Sequence, residues 1–255
     1  MRFTTDGLII KEQQVGENDR LVTVLCRDKG IIKAFASGAM RLKGKNTGTS
    51  LLSYSSLSLY KSRDTYKINE ATVIDLFFSL RSDIEKLTLA QYFCELCLCF
   101  APEEDNAEDF LRVVLNSLSF LEKDKRPMLL IKAVMEMKMG ALAGYMPDLE
   151  ACSKSGKMDG AMFFEPTHGV IYCESCQPPG QLLFLSEGVL AALRHIIYSP
   201  LGQLFQFHLP EEGLRVLSEV TEIYVKTHSG YHFKTLEFYH SLFDDQSVET
   251  GEEQK

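Results

Sequence analysis

The feature that most constrains this chain is an apolar helical stretch that runs directly into a cysteine-bearing loop. Pro127 suits the first position of a helix, because the amide that proline lacks would have no helical partner there. Gly144 permits the left-handed turn that ends a helix, and Pro147 prevents its continuation. Apolar residues fall on more than one side, so this helix is predicted to be central and largely buried. Cysteines begin soon after it, at Cys152.

Composition places the chain among folded proteins. Of its 255 residues, 45% are hydrophobic and 24% are charged, which fits one large domain or two to three small ones. No apolar run approaches the roughly 20 residues that cross a bilayer. The first residues, Met1–Asp6, lack the apolar core of a signal peptide, and seven scattered cysteines favour reduced thiols. We therefore expect a cytoplasmic protein with no membrane partner.

The net charge of −8 conceals an uneven distribution. Residues 1–80 hold 12 Lys and Arg against 8 Asp and Glu, whereas the remainder of the chain is acidic. Binding of a polyanion depends on the local field rather than on the total charge. Only the first segment therefore has the charge balance that favours a nucleic-acid contact.

Residues 1–80 are predicted to form a small β-barrel domain. Five short stretches are rich in β-branched and aromatic residues and partly alternate between apolar and polar positions. They are Leu8–Ile10, Leu21–Cys26, Ile31–Phe35, Leu57–Tyr60 and Tyr66–Ile68. A five-stranded Greek-key barrel of the OB type fits their number and the length of the segment. An SH3-like barrel is an alternative that the pattern alone leaves open.

Residue 81 onward is predicted to be helical, in two parts that cover residues 81–148 and 181–243. Ser82 and Glu85 have the spacing of a capping box, in which the serine hydroxyl accepts from a first-turn amide. The tail of residues 244–255 is polar and acidic, has nothing to bury, and is predicted to be disordered.

Three cysteines flank a predicted β-hairpin inside an insertion that covers residues 149–180. Cys152 precedes the hairpin, and Cys173 and Cys176 follow it. The two strand-like stretches are Met162–Glu165 and Val170–Tyr172, joined by a Pro-Thr-His-Gly turn. A hairpin with a cysteine knuckle at its end is the layout of a zinc ribbon.

The fourth ligand position of this predicted site is altered. Ser155 stands where a second cysteine would complete a C-x-x-C pair, and a serine hydroxyl is a poor zinc ligand. Three thiolates could still hold Zn²⁺ with His168 or water, or packing alone could maintain the hairpin. The predicted fold class is thus α+β and multidomain: an N-terminal OB-type β-barrel followed by an all-α domain with a zinc-finger-like cysteine hairpin inserted.

Three groups of residues recur in an order that is typical of one bacterial family. They are Gly7–Lys11 with Gly16–Thr23, Lys29–Gly30 and Ala36–Ala39; Gly144–Leu149 with the three cysteines; and Lys234–Phe238 with Tyr224 and His228. Together they resemble RecO, a family of recombination mediators and strand-annealing proteins, over roughly residues 5–243. The chain departs from the family pattern at Ser155 and in a thinner basic loop, with Gly44 and Asn46.

The resemblance implies an OB barrel, a helical domain and a zinc-finger-like insertion. Its implied role is not that of an enzyme. Such proteins bind single- and double-stranded DNA and anneal complementary strands. With RecR they load RecA onto strands coated by single-stranded-DNA-binding protein, which implies a location at the nucleoid.

The resemblance also implies that a positive surface of the barrel binds DNA, because annealing requires weaker repulsion between two polyanions. The predicted contacts are Arg20, Arg27, Lys29, Lys33, Arg41, Lys43 and Lys45. The last three alternate along a glycine-rich loop, so they could reach one phosphate track. The aromatic residues that could stack on bases, or instead fill the core, are Phe35, Tyr54, Tyr60 and Tyr66.

A protein-binding site is expected on the helices. The resemblance implies that single-stranded-DNA-binding protein docks its acidic C-terminal tail there, which requires an apolar groove with a basic rim. Arg126 and Lys132, near the positive end of the Pro127 helix, are the candidate rim residues. A solvated loop at this position is the alternative.

Two other functions stay open on the residues alone. A cysteine nucleophile, Cys26 or Cys152, together with one of six histidines as the base would make an enzyme, although nothing in the sequence fixes such a pair. A scaffold that binds proteins through its helices, with weak DNA binding, would fit the acidic total charge.

Overall fold

The computed structural model describes residues 2–39, 47–62 and 65–249, and begins with a closed five-stranded barrel. Its strands are β1 (Arg2–Val15), β2 (Asp19–Cys26), β3 (Gly30–Ala36), β4 (Tyr54–Ser62) and β5 (Thr65–Asp75). They follow the order β1-β2-β3-β5-β4, with β1 pairing β4 to close the barrel. The prediction of an OB-type barrel is confirmed.

Alternation along the strands fills the barrel. On β2, Val22, Val24 and Cys26 point into a core that Ile32 and Ala34 of β3 share. The β3–β5 pair is parallel, in contrast to the antiparallel ladders of the other strands, and places Ala34 opposite Tyr66. Side chains of successive residues point to opposite faces of a strand, so the residues between these core positions face outward.

The barrel belongs to a compact unit, Met1–Glu122 with Phe233–Lys255, and the second unit is Lys123–His232. The helices of the first unit are α1 (Ile84–Phe100), α2 (Glu108–Glu122) and α6 (Lys234–Glu249). The chain returns to α1 at its end, where the rings of Tyr92 and Phe233 lie 5.4 Å apart, edge to face. Helix α6 extends to Glu249, so residues 244–249 of the predicted disordered tail are helical, and residues 250–255 lie outside the described residues.

The N-cap of α1 differs from the predicted capping box. Ser82 belongs to a preceding 3₁₀ turn, and the extended residue Asp83 caps the helix instead. Its carboxylate accepts from the amides of Glu85 and Lys86 at 3.0 and 3.1 Å. Aspartate is as good an N-cap as serine, so either of these adjacent residues could have begun the helix, and the structure uses Asp83.

The second unit contains three helices and a small sheet. The helices are α3 (Met128–Leu142), α4 (Glu187–Tyr198) and α5 (Glu211–Ser229). The strands β6 (Asp148–Cys152), β7 (Met162–Glu165), β8 (Val170–Tyr172) and β9 (Leu183–Leu185) form a sheet in the order β6-β8-β7-β9. Helix α3 packs on α4 and α5 and is buried on nearly all sides, as predicted. No helix in the described part of the chain is long and apolar enough to span a membrane.

Candidate nucleic-acid interface and metal centre

Arg20, a predicted DNA contact, is a structural residue of the barrel. Its side chain is 7% exposed, on the same side of β2 as the core residue Val22. The guanidinium lies 3.2 Å from a carboxylate oxygen of Glu12, and the same oxygen accepts from the amide of Leu51. The sequence prediction of Arg20 as a surface contact does not fit this burial, because the side chain is already paired inside the fold.

The other predicted cations of the barrel lie in different environments. Arg27 is exposed but lies 3.5 Å from both the carboxylate of Asp6 and the hydroxyl of Tyr54. Lys29 is half-buried in the β2–β3 turn, and Lys33 is exposed on β3. The three loop residues Arg41, Lys43 and Lys45 lie outside the described residues.

The four aromatic candidates separate clearly by burial. Tyr66 is buried in the barrel core, where its ring meets that of Phe3 edge to face. Tyr54 and Phe35 are half-buried, and the hydroxyl of Tyr54 is engaged by Arg27. Tyr60 is 46% exposed on β4. Of the four, Tyr60 is therefore the ring best placed to stack on a base.

The three cysteines of the insertion converge, as predicted. Strand β8 lies between β6 and β7, which places Cys152 opposite Ile171 and thus near Cys173. The sulfur atoms of Cys152, Cys173 and Cys176 all lie within 4.8 Å of one another. A tetrahedral zinc site with bonds of about 2.3 Å needs sulfurs roughly 3.8 Å apart. The three thiols therefore fit such a site after a small approach.

Two tight turns hold the sulfurs together. The amide of Gly156 donates to the carbonyl of Cys152, and the amide of Cys176 donates to that of Cys173, at 2.9 and 3.0 Å. Gly156 adopts a φ of +72°, which favours glycine. The sequence analysis did not single out Gly156, although a glycine directly after the C-x-x-S stretch is the signal for such a turn.

Hydrogen bonds shift the ionisation of the thiols. Burial raises the pKa of the Cys152 thiol, but donors from the Ser155 side chain and from the amides of Cys173, Ser155 and Lys154 outweigh it and lower the pKa to about 6. The hydroxyls of Ser155 and Ser175 lower the pKa of Cys173, whereas hydrogen bonding with Cys173 raises the pKa of Cys176. Metals bind the thiolate form, so this environment favours metal binding.

The fourth corner of the cluster belongs to Ser155. Its hydroxyl lies 3.4 Å from the sulfur of Cys173. His168, the alternative predicted ligand, is 78% exposed at the hairpin turn, where its Nδ1 lies 2.6 Å from a carboxylate oxygen of Glu165. His168 is not among the residues of the cluster, so of the two fourth ligands left open by the sequence the structure favours water over this histidine. Three thiolates with a serine hydroxyl or water is the donor set that the geometry offers.

The cysteines outside the cluster are poor nucleophiles. Cys26 is fully buried in the barrel core, and burial raises the pKa of its thiol. Burial also raises the pKa of Cys94 on α1 to about 12. Because the thiolate is the reactive form, these residues are inert. The surroundings of Cys26 therefore give no support to it as a nucleophile, and Cys152, the other candidate, lies in the cluster with two further thiols.

Both parts of the chain match models of one protein family. The model for the N-terminal part of recombination protein O matches residues 1–77, and the model for its C-terminal part matches residues 81–237. The chain belongs to the RecO family. A relative from Acetivibrio thermocellus, "DNA repair protein RecO", is 34% identical over 93% of this chain and 96% of its own length. RecO proteins from Symbiobacterium thermophilum and Caldicellulosiruptor bescii are 26% and 28% identical over 94% and 92% of this chain, and 97% and 96% of their own lengths.

Within this RecO-family fold, Lys132 is not the surface cation that the sequence suggested. Its side chain is 1% exposed, and its ammonium lies 2.9 Å from carboxylate oxygens of Glu136 on α3 and Glu222 on α5. It also donates to the hydroxyl of Ser218 at 3.2 Å. Lys132 therefore joins two helices and has no surface to offer a peptide.

Arg126 keeps part of its predicted role. It is half-buried just before α3, where its Nε donates to the carbonyl of Phe205 at 2.7 Å and its Nη1 to that of Lys125 at 2.9 Å. These bonds fix the guanidinium at the start of the helix. A contact between Arg126 and a partner's tail stays a prediction.

Proposed function

We propose that this chain is a recombination mediator. It binds single- and double-stranded DNA, anneals complementary strands and, with RecR, helps load RecA onto strands coated by single-stranded-DNA-binding protein. The observation that carries the proposal is the match to both RecO family models, at residues 1–77 and 81–237. This role requires no covalent chemistry, and it would be exercised on the chromosomal DNA of the nucleoid.

The outer surface of the barrel supports the proposed DNA binding. Lys33 and Tyr60 are exposed on its outer side, and residues 1–80 as a whole are basic. Lysines that contact phosphates bind without regard to sequence and release counterions, as a mediator of strand annealing requires. A single strand held in this way keeps its base edges free to find a complement.

The cysteine cluster supports a structural zinc ion. Cys152, Cys173 and Cys176 would hold it, and the ion would link the β6 end to the β8 end of the small sheet. Zinc in a site of this kind contributes folding free energy and no reaction. Ser155 in place of a fourth thiol makes the predicted affinity lower than that of a four-cysteine site.

A second candidate, a scaffold with weak DNA binding, is favoured by one observation. Two cations of the barrel, Arg20 and Arg27, are already paired with Glu12 and Asp6, and Lys61 is paired with Glu104 at 3.2 Å. Each carboxylate reduces the positive potential that a phosphate would meet. The positive charge of the barrel is thus partly neutralised within the fold.

A salt titration separates the two candidates. Affinity for a labelled single strand is measured by fluorescence anisotropy at several salt concentrations, and annealing of two complementary strands is followed in parallel. A mediator binds with log affinity falling linearly as log salt rises, by about 0.7 per phosphate contacted, and accelerates annealing. A chain that neither binds nor anneals at low salt is a scaffold.

A further inference from the structure

One row of side chains crosses four strands on the outside of the barrel. The strand pairings place Phe35 of β3 opposite Lys67 of β5, Lys67 opposite Tyr60 of β4, and Tyr60 opposite Arg2 of β1. We call these four residues the barrel stripe. Neighbouring strands lie about 4.8 Å apart, so the stripe is roughly 14 Å long. Aromatic and basic side chains alternate along it.

All four residues of the stripe face away from the core. Their neighbours along the strands, Phe3, Ala34, Leu59 and Tyr66, belong to the core or pack against it. Arg2 and Lys67 are exposed, Tyr60 is 46% exposed, and Phe35 is half-buried. The ring of Tyr60 thus stands between two cations on an open surface.

The cations of the stripe differ from three other barrel cations, which are paired with carboxylates. Among the described side chains, neither Arg2 nor Lys67 forms an ion pair, whereas Arg20, Arg27 and Lys61 each do. The one side-chain hydrogen bond of Arg2 to a described residue is neutral, from Nε to the hydroxyl of Ser58 at 3.2 Å. The other donors of its guanidinium remain for a ligand.

The outer surface of the barrel is covered elsewhere. Leu8 of β1 and Leu25 of β2 are opposite each other and alternate with core residues, so both face outward. Both are nonetheless fully buried, and helix α1 packs on β1. Helix α1 thus covers this part of the barrel, whereas Arg2, Tyr60 and Lys67 of the stripe are exposed.

We propose that the barrel stripe binds single-stranded DNA and selects it over duplex DNA. Tyr60 stacks on an unpaired base, while Arg2 and Lys67, on either side of it, contact the neighbouring phosphates. An aromatic ring flanked by cations is the arrangement that sequence-tolerant single-strand binding requires. The inference rests on the proposed function and adds to it the residues that tell one form of DNA from the other.

Selection follows from what each side chain can reach. In a duplex the faces of the bases are stacked on one another, so Tyr60 has no free face to contact. The two cations contact phosphates in either form. Loss of the ring should therefore weaken binding of single strands alone, and loss of the cations should weaken binding of both forms.

The test compares Tyr60→Leu with wild type for binding to a thymidine oligomer and to a duplex of equal length at fixed salt. Tyr60→Leu should lower single-strand affinity roughly 5- to 150-fold, the range for one base stack, and leave duplex affinity unchanged. Tyr60→Phe keeps the ring and should keep the affinity. The matched control is Tyr198→Leu, because Tyr198 is also 46% exposed but lies on α4.

The double variant Arg2→Gln with Lys67→Gln tests the cations. It should lower the affinity for both forms of DNA and flatten the single-strand slope of log affinity against log salt by about 1.4.

Three results would overturn the proposed role of the barrel stripe. They are wild-type affinity for single strands in a folded Tyr60→Leu protein, an equal loss for the duplex, and an equal loss in Tyr198→Leu. In each of these cases wild-type binding to DNA still stands, so the proposed function survives. Failure of the wild-type protein to bind any DNA at low salt would instead reject the proposed function, and the stripe with it.

Discussion

At the scale of single residues, Gly30 shows how one position joins the barrel to the helix that follows. It begins β3 with a φ of +56°, and an added Cβ would lie 2.1 Å from the carbonyl oxygen of Pro102. The next amide, of Ile31, donates to that same oxygen at 2.8 Å. The β2–β3 turn therefore lies against the loop after α1 with backbone touching backbone, and only glycine leaves the necessary space.

Gly30→Ala should destabilise the protein by more than about 3 kcal/mol, because a backbone oxygen cannot move aside as a flexible side chain can. The matched control is Gly16→Ala. Gly16 has a similar φ of +64° but nothing within 4 Å of the added Cβ. Only the cost of the left-handed conformation remains there, about 1–2 kcal/mol. Urea unfolding measures both, and equal losses would show that the contact with Pro102 contributes nothing.

Ser155 gives a second prediction at this scale. Ser155→Cys supplies a fourth thiolate beside Cys173, so zinc affinity should rise. A higher concentration of chelator should then be needed to remove the metal. Zinc per chain is measured by metal analysis after dialysis against a graded chelator. Ser155→Ala should not gain affinity, and Cys173→Ser should lose it. A Ser155→Cys protein that holds zinc no better than wild type would show that position 155 is not the fourth corner of the site, and unchanged zinc in Cys173→Ser would show that the cluster does not bind the metal.

At the scale of secondary-structure elements, a buried ion network joins α3 to α5. Lys132 contacts Glu136 and Glu222, and the hydroxyl of Thr221 donates to Glu136 at 2.6 Å. Burial raises the pKa of Glu136, and attraction to Lys132 and the bond from Thr221 oppose that effect. Each charge is tolerated in the interior because the other is present.

Lys132→Met should destabilise the protein by about 3–5 kcal/mol, since it leaves the carboxylate of Glu136 buried without its cation. The double variant with Glu136→Gln should recover part of the loss. Arg215→Ala is the control, because it removes an exposed pair with Glu211 on the same helix and should change stability by less than about 0.5 kcal/mol. Thermal unfolding at pH 7 measures all three. A loss for Lys132→Met no larger than the control's would contradict the network's role.

At the scale of the whole molecule, the proposed function relies on an uneven distribution of charge. Residues 1–80 carry an excess of positive charge in a chain with a net charge of −8. Some of that excess is neutralised by carboxylates, at the buried Arg20 and at the exposed Arg27. Under the proposed function, we therefore expect the cations of the glycine-rich loop and of the barrel stripe to supply much of the attraction to DNA.

Replacing Arg41, Lys43 and Lys45 together by alanine should weaken binding to all sequences alike. Three lost phosphate contacts should flatten the slope of log affinity against log salt by roughly 2 for single strands. Annealing should slow in parallel. Replacement of three exposed lysines of the acidic remainder, Lys154, Lys157 and Lys234, should leave the slope unchanged. An equal change in both triple variants would mean that total charge, and not this loop, governs binding.

The sequence by itself determined most of the elements and their order, although strands β6 and β9 were not predicted. Short alternating stretches gave the five strands of the barrel, because a strand with one buried face must alternate. Proline and glycine marked the ends of α3, and the hairpin spacing predicted that Cys152 and Cys173 would meet. These features depend on residues that are close together in the sequence, so they can be predicted without the tertiary structure.

Only the tertiary structure decided which charged and aromatic side chains reach the surface. Arg20 and Lys132 look like ordinary exposed cations in the sequence, yet each is buried beside carboxylates. Tyr60 and Tyr66 occupy similar strand patterns, but one faces outward and the other fills the core. The barrel stripe joins residues from four strands, and its register is fixed by pairing across the barrel. Burial and register arise from contacts between distant segments, and periodicity along one segment cannot contain them.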